Sequence, residues 1–188
     1  MDSYFELKAL PNPEIIQSEV VAELMQALHK ILPSCDGRIG LDFLAYGQQR
    51  TLGGIIRILG KMQDVKAIYR TLDNHPLIRD YALLTPVESI PATVSKYACY
   101  QRRHARGNSR FRRLKKRHLN NGSWTEELEQ TLLQKLSTPL YLPHVKLKSD
   151  STNQQFLLFV ERKTSSTAKT GSFNGYGLGL VGTTVPVF

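Results

Sequence analysis

Tyr4-Phe5-Glu6-Leu7-Lys8-Ala9-Leu10, followed at once by Pro11-Asn12-Pro13-Glu14, decides the fold class. The first seven residues read as a strand, and the paired prolines break it and open a helix at Glu14. Ile16, Val20, Leu24, Leu28 and Ile31 then recur at three-to-four spacing as far as Leu32, an amphipathic helix with one buried face that Pro33 ends. Working outward, residues 38–45 and 54–59 are short apolar runs joined by a polar stretch with Gly47, which predicts a hairpin. Residues 62–72 return to helical spacing and 81–87 read as extended. The order is βαββαβ, and the expected fold is α+β: a ferredoxin-like domain over residues 1–92, with two helices on one face of an antiparallel sheet.

A second α+β domain is expected over residues 93–188. Its opening, 93–103, reads as extended, and Gly107-Asn108-Ser109 is a turn able to cap a helix over 109–119. Asn120-Asn121-Gly122 stops that helix. Ser123 and Glu126 have the spacing of a capping box for a further helix reaching about Leu136. Strand-like pieces follow at 145–148, 156–161 and 173–176, with a Ser/Thr/Lys-rich loop over 162–171.

The charge is concentrated in one place. The chain of 188 residues holds 25 Lys+Arg against 16 Asp+Glu, a net of +9. Ten of the basic residues lie between Lys96 and Arg117: those two with Arg102, Arg103, Arg106, Arg110, Arg112, Arg113, Lys115 and Lys116. No acid falls between Glu88 and Glu126, and the remainder of the chain is nearly neutral, with 15 basic against 16 acidic residues. A local cationic stripe is the footprint of a polyanion site. In the helix over 109–119, Phe111, Leu114 and His118 form one narrow stripe and cations cover the rest. Such a helix is no core element, since its cations would have to be desolvated. A merely solvated helix normally mixes charge signs for i,i+4 pairing.

Apolar residues make up 41% of the chain, enough for a packed core. Cys35 and Cys99 stand 64 residues apart without a C-x-x-C pair, which points to a reduced, cytoplasmic protein without a zinc site or disulfide framework. The N-terminus has no signal-peptide pattern, and no apolar run approaches membrane-spanning length.

Four features bear on chemistry. His29, in the last turn of the first long helix, reads either as a cation favoured by the helix dipole or as a general acid or base. Ser149-Asp150-Ser151-Thr152 reads as turn residues bonding their own backbone, or, if the chain there is extended, as a segment with Ser149 and Ser151 on one side. Phe156 is either core or a platform for a base. Gly177-Leu178-Gly179-Leu180-Val181-Gly182 matches G-x-G-x-x-G, but only six residues follow it and none is acidic. A dinucleotide site is therefore excluded, while close backbone approach to a phosphate stays open.

Several segments together resemble one family. They are Met1-Asp2 with Tyr4, His29 closing a long helix, Ser149-x-Ser151-Thr152-x-Gln154-x-Phe156-x-Leu158-Phe159, and Tyr176-Gly177-Leu178. The family is the type I-F CRISPR-associated endoribonuclease that processes precursor CRISPR RNA, and the resemblance runs over the whole chain. It implies recognition of an RNA hairpin in the CRISPR repeat, with the basic helix in the major groove of the stem. It also implies cleavage at the stem base by 2′-hydroxyl attack, without metal or other cofactor, leaving a cyclic phosphate and a 5′-hydroxyl. His29, Ser149, Ser151 and Tyr176 are the catalytic residues it implies. RNA contacts are expected from Arg102, His104, Asn108, Arg112, Arg113, Lys115, Lys116, Arg117 and Phe156, with Arg102 on a guanine edge and Phe156 stacked on the lowest base pair. The implied partners are the repeat hairpin and the other subunits of a type I-F effector complex, the free protein being a monomer. The chain departs from the family pattern at His104, where a glutamine reads an adenine, and at Lys115 and Lys116, where arginines stand. A non-catalytic hairpin-binding protein of the same fold is the alternative reading, and a DNA-binding basic helix is a third.

Overall fold

The computed structural model describes residues 1–104, 108–137 and 140–188, with side chains for all of these but 108–110 and 135–137. The described chain is α+β and divides into two compact units, Met1–Arg103 with Leu142–Phe188, and His104–Tyr141.

The first unit is organised around β1 (Ser3–Ala9), whose Phe5, Leu7 and Ala9 are buried while Tyr4, Glu6 and Lys8 are half-buried. Alternation of this kind gives a strand one core face. β1 pairs antiparallel with β3 (Ile55–Gly60) on one side, and with β4 (Ala82–Leu84) and β5 (Glu88–Ser89) on the other. β2 (Gly40–Phe43) pairs with β3, which gives the order β2-β3-β1-β4. Helix α1 (Gln17–Ile31) buries Val20, Val21, Leu24, Met25, Ala27 and Leu28, and α2 (Met62–Asp73) buries Val65, Ile68 and Leu72. These side chains share one core with Phe5, Leu7, Ile56 and Ile58.

Two boundaries differ from the sequence reading. α1 begins at Gln17 instead of Glu14, because the Asn12 carboxamide oxygen accepts from the N–H of Glu14 (2.8 Å) and of Ile15 (3.2 Å). That Asx-type turn holds the segment before the helix starts. A short helix, α3 (Pro76–Tyr81), occupies the stretch just before β4; His75 caps it by accepting from the Leu77 N–H, and Pro76 sits at its first turn.

The second sheet of this unit is also antiparallel, in the order β7-β8-β6-β9, with β6 (Lys96–Arg103), β7 (His144–Lys148), β8 (Gln155–Ser165) and β9 (Val185–Val187). The expected strand over 173–176 is a turn, in which Phe173 makes only an isolated bridge to Gly179. The strand that closes the sheet is β9, whose Pro186 is tolerated because β9 lies at the edge. The expected loop over 162–171 is strand as far as Ser165, since β8 continues to pair with β6 up to Tyr97↔Ser165.

β2 and β3 are buried almost throughout. One row across three strands, Glu6↔Arg57↔Asp42, places a cation between two acids inside the protein. Arg57 donates to the Glu6 carboxylate at 2.8 Å and lies 3.6 Å from that of Asp42. The Tyr100 hydroxyl of β6 donates to Asp42 at 2.6 Å, which ties the second sheet to the first. Burial, and then the Asp42 charge, push the Tyr100 phenol far above its ordinary range, so it acts as a donor. A buried charge row tolerates burial only when each member is paired in this way.

The second unit is a helical hairpin of α4 (Asn108–Asn120) and α5 (Glu126–Ser137). Gly122 turns the chain at φ +64° between them. The expected capping box is absent: Thr125 Oγ accepts from the Leu128 N–H at 3.1 Å and caps α5, while Ser123 Oγ pairs with His118 Nδ1 at 2.8 Å. Among the described residues no helix is long and apolar enough to cross a membrane.

Candidate active site

The α1 periodicity that buries Leu24, Met25 and Leu28 leaves Gln26, His29 and Lys30 on its outer side. His29 is half-buried, and its Nδ1–H donates to the Gly175 carbonyl at 2.8 Å. Because a carbonyl only accepts, this bond assigns the proton to Nδ1 and leaves Nε2 as the nitrogen able to exchange one. The Tyr176 ring stacks on the imidazole with centroids 3.9 Å apart and planes within 9°.

The turn that supplies both contacts is organised by Asn174. Its carboxamide oxygen accepts from the N–H of Tyr176 (2.9 Å) and of Leu178 (3.2 Å), and its carbonyl accepts from the Gly177 N–H (2.8 Å). A side chain at position 175 would crowd the imidazole: a Cβ there would stand 3.3 Å from Nδ1 and Cε1 of His29. Burial raises the Tyr176 phenol above its ordinary value, with Arg102 pulling it down and Asp150 pushing it up, so the ring stays neutral beside the imidazole.

The serines lie on a tight turn after β7. The N–H of Ser149 donates to Gln154 O at 2.9 Å and that of Asn153 to Ser149 O at 2.8 Å, with Asn153 at φ +56°. Ser149 Oγ accepts from the Thr152 N–H at 3.3 Å and lies 3.2 Å from Ser151 Oγ. The turn reading of the cluster is the one found, with one hydroxyl holding the turn and standing beside the other. The turn is held to α1 by Gln26, which bonds the backbone of Lys148 and reaches Asp150 Oδ1 at 3.5 Å, and by the long Lys30–Asp150 pair at 3.9 Å.

On β6 and β8, Arg102 and Phe156 extend the same set of stacked groups. The Arg102 guanidinium lies 5.5 Å from the Phe156 ring centre and 5.7 Å from that of Tyr176. Such distances are those of cation–π contacts. Phe156 is half-buried and packs against the core. His29, Tyr176, Arg102 and Phe156 thus form a chain of planar groups at the surface of the first unit. The glycine-rich segment belongs to the framework: the N–H groups of Gly177, Leu178, Gly179 and Leu180 all bond to protein oxygens. They are not turned toward a phosphate.

In the second unit, Arg112, Arg113, Lys116 and Arg117 are exposed on α4. Lys115 is instead drawn inward, paired with Glu129 at 2.6 Å and 5.0 Å from the Trp124 ring centre. Phe111 and His118 flank Trp124, as their common stripe on the helix predicts. His104 is exposed at the start of this unit. Arg106 and the side chains of Asn108 and Arg110 lie outside the described residues. Among those described, no group of three or more His, Cys, Asp or Glu is arranged to hold a metal ion.

Residues 4–188 match the family model of the CRISPR-associated protein Cas_Csy4. The chain belongs to this family. It is 31% identical over 185 residues to the CRISPR-associated endonuclease Cas6/Csy4 of Pseudomonas aeruginosa (strain UCBPP-PA14), covering 95% of both chains. It is 29% identical over 194 residues to the CRISPR-associated endonuclease Cas6/Csy4 of Escherichia coli (strain UTI89 / UPEC), with both chains covered in full.

Within this Csy4-family chain, three contributors escaped the reading of the sequence. Asn174 and the Gly175 carbonyl carry the Asn-Gly turn signature, which was there to be found. Gln26 carries no signature, because its partners, the Lys148 backbone and the Asp150 carboxylate, lie 122 and 124 residues away.

Proposed function

We propose that the protein is a metal-independent endoribonuclease that binds the hairpin of a CRISPR repeat and cuts precursor CRISPR RNA at the base of the stem. The observation that carries this reading is the His29 imidazole, oriented by Gly175 and Tyr176 with Nε2 left for proton exchange, on the helix that anchors the serine turn. RNA supplies its own nucleophile, so the protein needs to position groups and move a proton. The 2′-hydroxyl upstream of the scissile phosphate loses its proton and its oxygen attacks phosphorus in line. The bond to the 5′-oxygen breaks and that oxygen takes up a proton, which leaves a 2′,3′-cyclic phosphate and a 5′-hydroxyl. His29 Nε2 serves the proton transfer, Ser149 and Ser151 hold the attacking ribose, and Tyr176 keeps the imidazole in plane.

Phe156 caps the lowest base pair and the Arg102 fork reads O6 and N7 of a guanine. Arg112, Arg113, Lys116 and Arg117 hold stem phosphates, joined by Lys115 when Glu129 releases it, while His104 and Asn108 contact bases. The protein then remains on the crRNA hairpin within a type I-F effector complex. The order β2-β3-β1-β4, with α1 and α2 in the connections, supports a ferredoxin-like domain over residues 1–92, with the RNA-binding half at 93–188.

Incubation of the cognate repeat RNA with the protein in EDTA tests the reading. Cleavage is expected, and a substrate with a single 2′-deoxy at the attacking ribose should bind and stay intact. His29→Ala should abolish cleavage with little loss of hairpin affinity. Survival of the unmodified RNA alongside normal binding would leave a non-catalytic hairpin-binding protein.

A further inference from the structure

Among the described residues β7 is an edge strand, paired only with β8, so the outward N–H and C=O at its end have no neighbouring strand there. At Lys148, the last residue of β7, both groups are taken by one side chain. Gln26 Nε2 donates to Lys148 O at 2.8 Å, and Lys148 N–H donates to Gln26 Oε1 at 3.2 Å. The carboxamide thus acts as one extra strand residue, contributed by a helix. The next residue, Ser149, turns its own N–H inward to Gln154 O at 2.9 Å, and the serine turn begins there. On α1, Gln26 and His29 are three positions apart and so are neighbours on the helix surface.

We infer that Gln26 is a positioning residue of the cleavage site, fixing the serine turn at a set distance from His29 through its two bonds to Lys148. This deepens the ribonuclease reading and rests on it. The acid–base group and the ribose-holding hydroxyls sit on different elements, and Gln26 supplies the one two-bond tie described between α1 and the root of that turn. The long Lys30–Asp150 pair at 3.9 Å, with both side chains largely exposed, is a weak second restraint. Without Gln26 the hydroxyls still exist and the hairpin surfaces are untouched, but the registry between ribose and imidazole loosens. A misplacement of about 1 Å costs on the order of 100-fold in rate.

The carboxamide both donates and accepts, and this gives the test its discriminating arm. A carboxylate at position 26 accepts from the Lys148 N–H but opposes the Lys148 carbonyl and the Asp150 carboxylate, which Gln26 Nε2 reaches at 3.5 Å and Lys30 faces at 3.9 Å, whereas a protonated carboxyl again donates as well as accepts. Single-turnover cleavage of the repeat hairpin by wild type, Gln26→Ala and Gln26→Glu is measured beside hairpin affinity, using the 2′-deoxy substrate, and thermal unfolding. Gln26→Ala is expected to cut about 10–100-fold more slowly, with hairpin affinity within about two-fold. Gln26→Glu should resemble it near pH 8. Its rate relative to wild type should then climb as pH falls toward about 4.5, where carboxyl protonation sets in.

A Gln26→Ala rate equal to wild type overturns the inference. So does a rate loss matched by an equal loss of affinity, or a Gln26→Glu ratio that stays flat with pH. Should Gln26→Ala unfold at the assay temperature, the Gln26→Glu ratio decides alone. Failure of the wild type to cut is a separate result that removes the ribonuclease reading and this inference with it.

Discussion

Asn174→Ala perturbs the candidate site without touching a residue assigned to substrate. Its Oδ1 accepts from two half-buried backbone N–H groups, those of Tyr176 at 2.9 Å and Leu178 at 3.2 Å. Each net hydrogen bond is worth about 0.5–1.5 kcal/mol, so the pair accounts for about 1–3 kcal/mol of stability. For a protein of this size each kcal/mol corresponds to about 2–4 °C, and Tm should fall by about 2–12 °C. The larger effect is on chemistry, because the same turn presents the Gly175 carbonyl to His29 Nδ1 and the Tyr176 ring to its face. Once that turn relaxes, the imidazole gains rotation and tautomer freedom, and single-turnover cleavage should drop at least about 10-fold. Hairpin affinity should stay within about two-fold. Asn174→Asp keeps an oxygen able to accept both N–H groups and should recover most of the rate and Tm. Differential scanning fluorimetry, single-turnover cleavage and hairpin titration measure the three quantities. If Asn174→Ala cuts at full rate, or Asn174→Asp is as impaired as Ala, the turn does not orient His29.

Two further outcomes concern stability alone. Val181 is 86% exposed yet holds φ +50°, a conformation that β-branched residues rarely adopt, so Val181→Gly should raise Tm by a few degrees, reporting about 1 kcal/mol of relieved strain; an unchanged or lower Tm would refute that strain. Burial acts to raise the Glu6 carboxyl, but its hydrogen bonds with Arg57 and Lys8 prevail and hold it below the ordinary range. A lowered folded-state value means that the Glu6 contribution is complete above its unfolded value, near pH ~4.3, and is lost as pH falls through the folded one. Glu6→Gln should therefore be less stable at neutral pH and show a flatter acid limb; equal slopes in a pH-dependent urea series would count against the pairing.

Legibility in the sequence followed the range of the forces involved. β1, α1, the β2–β3 hairpin and α2 were readable because their apolar spacing is local and their core face is continuous. The start of α1 was misplaced because an Asn12 side chain, no part of the periodicity, holds Glu14 and Ile15 in a turn. β8 outran its expected end because pairing with β6 outweighed a Ser/Thr/Lys-rich composition. The strand expected over 173–176 failed for the opposite reason, an Asn174 side chain that satisfies two backbone donors and makes a ladder unnecessary. His29, Ser149, Ser151, Phe156 and Tyr176 were singled out by residue type and by resemblance, and composition showed the cations of α4. The ion pair that occupies Lys115 was hidden, since its partner Glu129 lies in the next helix.

The hydrogen bond from His29 to Gly175 also sets a clock. Its two residues are separated by 146 positions. At ordinary elongation rates of about 5–20 residues per second, the ribosome needs roughly 7–30 s between making the imidazole and making the carbonyl that fixes its tautomer. During that interval the nascent chain already displays Arg102 and the cations of α4, which precede Gly175 in the chain. The imidazole is therefore oriented last, after Arg102 and the cations of α4 are already in the chain.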